Sequence, residues 1–237
     1  MRTIAFIFYY ITPYIALAIF VGGIIYQLTR WSRSSPVPAN LSIFPRPQGR
    51  VGRVTDALVD MFTLRGLFRV NKPLWIGGFV MHLGLLLLAL GHVRAFTDYY
   101  FLWDLLQWGE EQQHMFSAVA GSIAGLLFMF PLFYLLARRF GGAVKWLSNP
   151  EDFLVLGLLI MIAITGNHMR FVIDPDQHEV RNFLQGLFRF AWQPAPASAG
   201  VSFVYHFAFV QLLMVYFPFS KLMHTIGSLF SKMVARS

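Results

Sequence analysis

Four histidines in two apolar segments are the residues of this chain most suited to chemistry. The segment WIGGFVMHLGLLLLALGHVRAF carries His82 and His92, ten residues apart, and VSFVYHFAFVQLLMVYFPFSKLMHTIG carries His206 and His224, eighteen apart. An imidazole inside a membrane is unfavourable without a partner, so each histidine is a functional candidate. Imidazoles are axial ligands of haem iron, and two pairs on two helices predict two haem b groups.

The composition is typical of an integral membrane protein. Of 237 residues, 57% are hydrophobic and 13% charged, whereas soluble domains carry about 25% charged residues. The chain has no cysteine, which excludes disulfides, cysteine-ligated iron–sulfur clusters and CxxCH haem attachment. The formal net charge of +8 is assigned to cytoplasmic loops rather than to nucleic-acid binding.

Five apolar segments are long enough to cross a hydrocarbon core of about 30 Å. We expect an all-α membrane protein with one domain over residues 1–237. Two amphipathic stretches, VTDALVDMFTLRGLF and EVRNFLQGLFRFAW, predict short interfacial helices. The predicted spans are residues 4–28, 73–95, 114–137, 151–172 and 201–225.

The distribution of basic residues predicts the orientation. Of 19 Lys and Arg, 14 lie in the connections 30–72, 138–150 and 221–237. The positive-inside rule therefore puts the N-terminus outside and the C-terminus in the cytoplasm. Span two then runs outward and span five inward. Depth in the membrane pairs His92 with His206 on the outer side and His82 with His224 on the inner side.

Helix geometry constrains this pairing. Ten residues separate the two levels by about 15 Å, and eighteen by about 27 Å, at the rise of an α-helix. The macrocycles must therefore be tilted or span five bent, and Pro218 is the expected bend. On a regular helix His206 and His224 share one face. Glycines near the first pair allow close approach either of a macrocycle or of a neighbouring helix; they are Gly77, Gly78, Gly84 and Gly91.

The sequence resembles the cytochrome b subunits of the respiratory nitrate reductase gamma family. The four histidines match that family's spacing in spans two and five, and FPFSKLMH and TPYIALAIF resemble its sequences around the fourth ligand and in span one. The resemblance implies two haems b on His82, His92, His206 and His224. It also implies electron exchange with menaquinone or ubiquinone near the outer haem, by a multi-pass subunit of a larger complex in the cell inner membrane.

The basic connection 30–72, with its stretch FPRPQGRVGR, looks more like that of relatives in sulfite-reductase-associated complexes (DsrM-type) and in heterodisulfide-reductase-like quinone complexes. That resemblance implies a cytoplasmic iron–sulfur partner and a place in a DsrMKJOP-type complex of sulfur metabolism. We favour it over a nitrate reductase gamma subunit. In either case the chain is an electron-transfer subunit with no substrate site beyond quinone. A histidine-lined proton or metal transporter is the alternative from another class, although transporters usually show repeats or broken helices.

A quinone site needs a group that exchanges protons. In nitrate reductase relatives a lysine at the start of span three has this role, but EEQQHMF contains none. Gln112 or His114 would replace it, and His114 is the better acceptor because imidazole titrates near neutral pH. Arg94 could bind a haem propionate or a quinone carbonyl, or extend to the interface. His168 and Arg170 are weaker candidates for the same pocket.

Overall fold

The computed structural model describes residues 2–33 and 49–227. Over these ranges the chain is helical without strands, and five helices are long and apolar enough to cross a membrane. This confirms the predicted fold class. The five long helices are α1 (Thr3–Ser32), α4 (Lys72–Val93), α6 (Glu110–Arg138), α8 (Pro150–Ile173) and the fifth span Gly200–Phe219, whose regular part is α10 (Gly200–Tyr216). The shorter helices are α2 (Gly49–Thr63), α3 (Arg65–Val70), α5 (Tyr100–Leu106), α7 (Gly142–Leu147) and α9 (Gln177–Phe188).

The chain divides into two compact units. One comprises Met1–Tyr14 and Val80–Leu213, and the other Ile15–Phe79 and Met214–Ser237. The first unit holds His82, His92 and His206, whereas the second holds His224. The prediction of a single domain over the whole chain stays a prediction.

The fifth span does not continue as a regular helix to its second histidine. After α10 the backbone forms two 3₁₀ turns, Phe217–Phe219 and Lys221–Met223. Pro218 has no N–H to donate and its ring obstructs a continuing α-helix. The expected bend at Pro218 is therefore confirmed, whereas the expectation that His206 and His224 share one face of a regular helix is wrong.

Packing of α6 against α8 forms the main core of the first unit. The buried core residues are Phe128, Leu132, Leu156, Ile160 and Ala163, with Met81 and Leu88 of α4 packed against them. Gly84 of α4 meets α6 at its backbone: an added Cβ would lie 2.6 Å from the Phe128 nitrogen. Helix packing is thus the role of Gly84. At Gly91, by contrast, nothing lies within 4 Å of that position.

A capping box fixes the start of α8. The Asn149 side chain accepts from the Asp152 N–H, while the Asp152 carboxylate accepts from the Asn149 N–H, and Pro150 occupies the first turn. Arg139 donates to the buried Asp152 carboxylate at 3.2 Å. A reciprocal cap satisfies N–H groups that have no partner within the helix. This local sequence therefore holds the beginning of span four firmly.

The amphipathic helix α9 packs on aromatic residues of α1 and α10. Phe183 is fully buried, and the Tyr14 hydroxyl donates to the Leu187 carbonyl at 2.6 Å. Phe203 and Phe207 of α10 complete this cluster. The predicted helix is confirmed over Gln177–Phe188. Its apolar pattern also predicts Phe188 on the buried face, but Phe188 is 59% exposed.

The other predicted interfacial helix is present as two helices. The chain breaks between α2 and α3 at Leu64, whose φ of 50° is incompatible with a continuing helix. Trp75 of α4 donates to the Thr63 carbonyl at 2.7 Å and packs edge-on against Phe68. The first half of the FPRPQGRVGR stretch, residues 44–48, and the basic C-terminal tail from residue 228 lie outside the described residues.

We predict that Gly84→Ala destabilises the protein. The new methyl group would clash with the α6 backbone, and overpacking of this kind costs about 1–3 kcal/mol. The midpoint of thermal unfolding in detergent, followed by tryptophan fluorescence, should fall by several degrees. Gly22→Ala in α1 is the matched control, because nothing lies within 4 Å of its Cβ position. If the unfolding midpoint falls no further in Gly84→Ala than in Gly22→Ala, the packing role of Gly84 is contradicted.

Candidate cofactor site

His92 and His206 face each other across the first unit. His92 lies in the last turn of α4 and His206 in the middle of α10. Their ring centroids are 6.5 Å apart and the ring planes are 14° from parallel. Two imidazoles that bind one metal atom from opposite sides have centroids about 6 to 6.5 Å apart, because each metal–nitrogen bond is about 2 Å long. The observed separation fits a shared metal atom.

Hydrogen bonds on the Nδ1 side determine which ring nitrogen is free. His92 Nδ1 lies 2.7 Å from the Leu88 carbonyl oxygen, and His206 Nδ1 lies 3.1 Å from that of Ile162. A carbonyl oxygen can only accept, so Nδ1 carries the hydrogen in both rings. Nε2 then keeps its lone pair. This is the neutral tautomer that a metal-ligating histidine requires.

Helix α8 supplies part of this site although it contributes no predicted ligand. Thr165 Oγ1 lies 3.1 Å from His206 Nδ1. A Cβ added at Gly166 would lie 3.1 Å from His206 Cε1. Ile162, Thr165 and Gly166 were not predicted from the sequence. The small and polar run TGN inside an otherwise apolar span marks Thr165 and Gly166, whereas nothing in the sequence marks Ile162.

His82 and His224 lie in different units and are described separately. His224 Nδ1 is 2.8 Å from the Lys221 carbonyl oxygen, so by the same reasoning Nδ1 carries the hydrogen. His82 lies in α4, and both His82 and His92 are exposed. Protein therefore does not cover these two rings. The pairing of His82 with His224 stays a prediction.

Two further observations bear on the kind of cofactor. Within residues 2–33 and 49–227, no three His, Cys, Asp or Glu side chains come together as a bare metal ion would need. Two opposed imidazoles suit an iron atom whose other ligands come from a porphyrin. Gln211 of α10 is 8% exposed, and its Nε2 has no hydrogen-bond partner. An amide N–H without a hydrogen-bond partner costs several kcal/mol in hydrocarbon. A hydrogen bond to a polar group of a bound cofactor would remove this cost. The residues present therefore fit haem.

Arg94 is the centre of a polar cluster two residues beyond His92. Its Nε and Nη2 donate to the two Asp98 carboxylate oxygens at 3.0 and 3.1 Å, and its Nη1 donates to Ser117. Arg181 of α9 donates to the same carboxylate at 3.1 Å, and Trp103 donates at 2.7 Å. Arg94 retains one N–H on each terminal nitrogen for another acceptor. Its interaction with a propionate or quinone stays a prediction.

The carboxyl group of Asp98 is ionised over a wide pH range. Burial by itself raises the pKa of Asp98, but hydrogen bonds from Arg94, Trp103 and the Tyr99 N–H outweigh it and lower the pKa well below its usual value. Through Arg94, Trp103 and Arg181, the ionised carboxylate joins the end of α4 to α5 and α9. Neither the pair of Arg94 and Asp98 nor the contribution of Arg181 was predicted from the sequence.

Gln112 and His114 are both exposed in the first turns of α6. Two residues apart on a helix, their side chains point about 160° away from each other, so one pocket cannot readily hold both. His114 shares a face with Ser117 and Ala118, which accept from Arg94 and Arg170. Gln112 lies on another face. This placement favours His114 for a site beside Arg94.

The remaining histidines in this part of the chain have different surroundings. His168 Nδ1 lies 2.8 Å from the Ser202 hydroxyl, which can donate or accept and so does not determine the tautomer. His178 is exposed in the first turn of α9. Arg170 lies 3.6 Å from Asp174 and also donates to the Ala118 carbonyl. The Arg170 contact to Ala118 attaches α8 to α6, and the His168 contact to Ser202 attaches α8 to α10.

Comparison with known proteins gives the family. The model of the nitrate reductase gamma subunit family matches residues 53–236. The chain belongs to this family. This match confirms the resemblance inferred from the four histidines and supports a membrane cytochrome b role in electron transfer.

Three relatives match over nearly the whole chain. An Hdr-like menaquinol oxidoreductase cytochrome b-like subunit from Archaeoglobus fulgidus is 33% identical, over 96% of this chain and 79% of the relative. A subunit of the same description from Archaeoglobus profundus is 27% identical, over 94% and 76%. The nitrate reductase gamma chain of Bacillus subtilis is 26% identical, over 96% and 93%.

We predict that Asp98→Asn lowers the stability of the protein at pH 7. Removing one partner from a buried ion pair leaves the arginines uncompensated and costs about 3 kcal/mol. Because folding lowers the pKa of Asp98, its contribution is complete above the ordinary aspartate value of 3.8 and decreases as the pH falls further. The midpoints of thermal unfolding of the wild type and of Asp98→Asn should therefore differ most at neutral pH and become similar in acid. The exposed Asp104→Asn in α5 is the control, and an equal effect there would contradict this role for Asp98.

Proposed function

We propose that the chain is a di-haem b membrane subunit that exchanges electrons between quinone and a cytoplasmic iron–sulfur partner. The observation that carries the proposal is the facing pair His92 and His206, each with Nδ1 donating to a carbonyl and Nε2 left free. We assign this pair to one iron and the pair His82 and His224 to a second. Bound haem would supply one-electron carriers at two depths in the membrane.

The orientation in this proposal rests on the positive-inside pattern. With the N-terminus outside, His92 and His206 lie toward the outer face of the cytoplasmic membrane and His82 and His224 toward the inner face. The two histidine pairs then bridge most of the hydrocarbon thickness. The direction of electron flow depends on the partner.

The proposed quinone site lies beside Arg94 at the outer end. Quinone reduction takes up two protons with two electrons, so a proton-exchanging group must contact the quinone oxygen. His114 has this role in the proposal because it lies on the α6 face that receives Arg94 and Arg170. Arg94 uses its remaining N–H groups to hold a quinone carbonyl or a haem propionate. Gln112 is the alternative residue for the proton-exchanging role.

Two of the three relatives carry the description Hdr-like menaquinol oxidoreductase. This supports menaquinone as the quinone and an iron–sulfur partner of the heterodisulfide-reductase-like kind, as in a DsrMKJOP-type complex. A nitrate reductase complex is the alternative, supported by the Bacillus subtilis relative. Isolation of the native complex separates them: a molybdenum-containing subunit would indicate nitrate reductase.

We predict two haems b per chain, measured as the pyridine haemochrome of the purified protein. His92→Ala and His206→Ala should each retain one haem. If the two residues bind the same iron, the double variant also retains one. If they bind different irons, the double variant loses both haems, and the pairing is wrong. His178→Ala is the control and should retain two. A protein that binds no haem when haem is supplied would favour the transporter alternative.

We predict that His114→Ala slows haem reduction by a menaquinol analogue about 100-fold, the lower end of the range for loss of a general acid or base. Gln112→Ala should leave the rate near that of the wild type. Stopped-flow absorbance at the reduced haem band measures both rates, and dithionite reduction verifies that the haems are intact. The opposite result would transfer the role to Gln112. Unchanged rates in both variants would refute this quinone site.

A further inference from the structure

The two facing histidines are held in different ways. The Leu88 carbonyl that accepts from His92 Nδ1 belongs to the same helix and lies at 2.7 Å. His206 Nδ1 instead lies 3.1 Å from two oxygens of α8, the Ile162 carbonyl and the Thr165 hydroxyl. Its hydrogen is therefore shared between two longer contacts. The orientation of His206 depends on a neighbouring span.

The Thr165 hydroxyl acts as an acceptor toward His206. Thr165 is 9% exposed, and Oγ1 lies 2.8 Å from the Met161 carbonyl and 3.1 Å from the Ile162 carbonyl. Carbonyl oxygens only accept, so the single hydroxyl hydrogen points to them. The lone pairs of Oγ1 remain for the hydrogen on His206 Nδ1. Thr165 thus adds electron density to the imidazole from the side opposite Nε2.

The surface of α8 around Thr165 is shaped to the His206 ring. A Cβ at Gly166 would lie 3.1 Å from His206 Cε1 and 3.4 Å from Nδ1. Only glycine allows the ring to approach this closely without displacement. Asn167, one residue further, is buried and donates to the Gly125 carbonyl of α6 at 3.2 Å. This contact fixes the turn of α8 that carries Thr165.

We propose that Thr165 is a positioning residue that sets the reduction potential of the haem bound by His206. The inference rests on the proposed haem ligation. An acceptor on Nδ1 makes a ligating imidazole more basic, which stabilises the oxidised iron. Hydrogen bonding behind the ligand is one of the ways in which a protein adjusts a haem potential. Loss of the Thr165 acceptor therefore raises the potential of that haem alone.

The experiment compares Thr165→Val, Thr165→Ser and Thr12→Val in purified protein loaded with haem. Valine has the shape of threonine without the hydroxyl, and serine keeps the hydroxyl. Thr12→Val is the matched control, because Thr12 donates to the carbonyl four residues earlier, that of Phe8, at 2.8 Å. Haem content is measured first. Potentiometric titration and electron paramagnetic resonance of the oxidised low-spin haems follow.

We expect Thr165→Val to retain both haems, with the midpoint potential of one raised and its low-spin signal shifted. Thr165→Ser and Thr12→Val should match the wild type. Loss of one haem from Thr165→Val with full retention in Thr165→Ser also supports the role. Unchanged midpoint potentials and resonance signals in a Thr165→Val protein that holds both haems would overturn this inference but not the haem ligation. Equal changes in Thr165→Val and Thr165→Ser would have the same consequence. A wild type without haem would overturn both.

Discussion

The geometry of the site depends on one hydrogen bond for each imidazole inside the hydrocarbon. A histidine ring has two nitrogens, and in a membrane neither can rely on water. For His92 and His206 the protein supplies a carbonyl acceptor to Nδ1. This satisfies one polar nitrogen of each ring and leaves Nε2 as the nitrogen available to a ligand. The hydrogen bond that lowers the cost of placing the imidazole in the membrane thus also selects the tautomer that binds a metal.

The acceptor for His206 lies on another helix, so the position of α8 becomes part of the site. Several separate features fix that helix. The Asn149 capping box and the Arg139 contact to Asp152 hold its beginning. The core shared with α6 holds its middle, and Asn167 holds the turn beside His206. A span without a ligand is in this way as important for ligand geometry as the spans that carry the histidines.

The sequence predicted the long helices and the four histidines because hydropathy and spacing are local properties. It also predicted the bend at Pro218, since the missing N–H is a property of one residue. It could not reveal Thr165 or Gly166, because their importance depends on which faces of α8 and α10 meet. The assumption of a regular helix between His206 and His224 failed for a related reason. The chain after Pro218 forms 3₁₀ turns, whose rise and rotation per residue differ from those of an α-helix.

The polar cluster around Asp98 explains an exception in the charge pattern. Five basic residues lie on the predicted outer side, against the positive-inside rule: Arg2, Arg94, Arg170, Arg181 and Arg189. Three of them are structural, because Arg94 and Arg181 share the Asp98 carboxylate and Arg170 lies beside Asp174. Two carboxylates partly compensate the charge of these three arginines, so the arginines weaken the orientation signal less than their number suggests. Asp98 has two arginines against its single carboxylate, and the remaining positive charge lies two residues from His92. An anionic group of a cofactor or substrate would complete the compensation there.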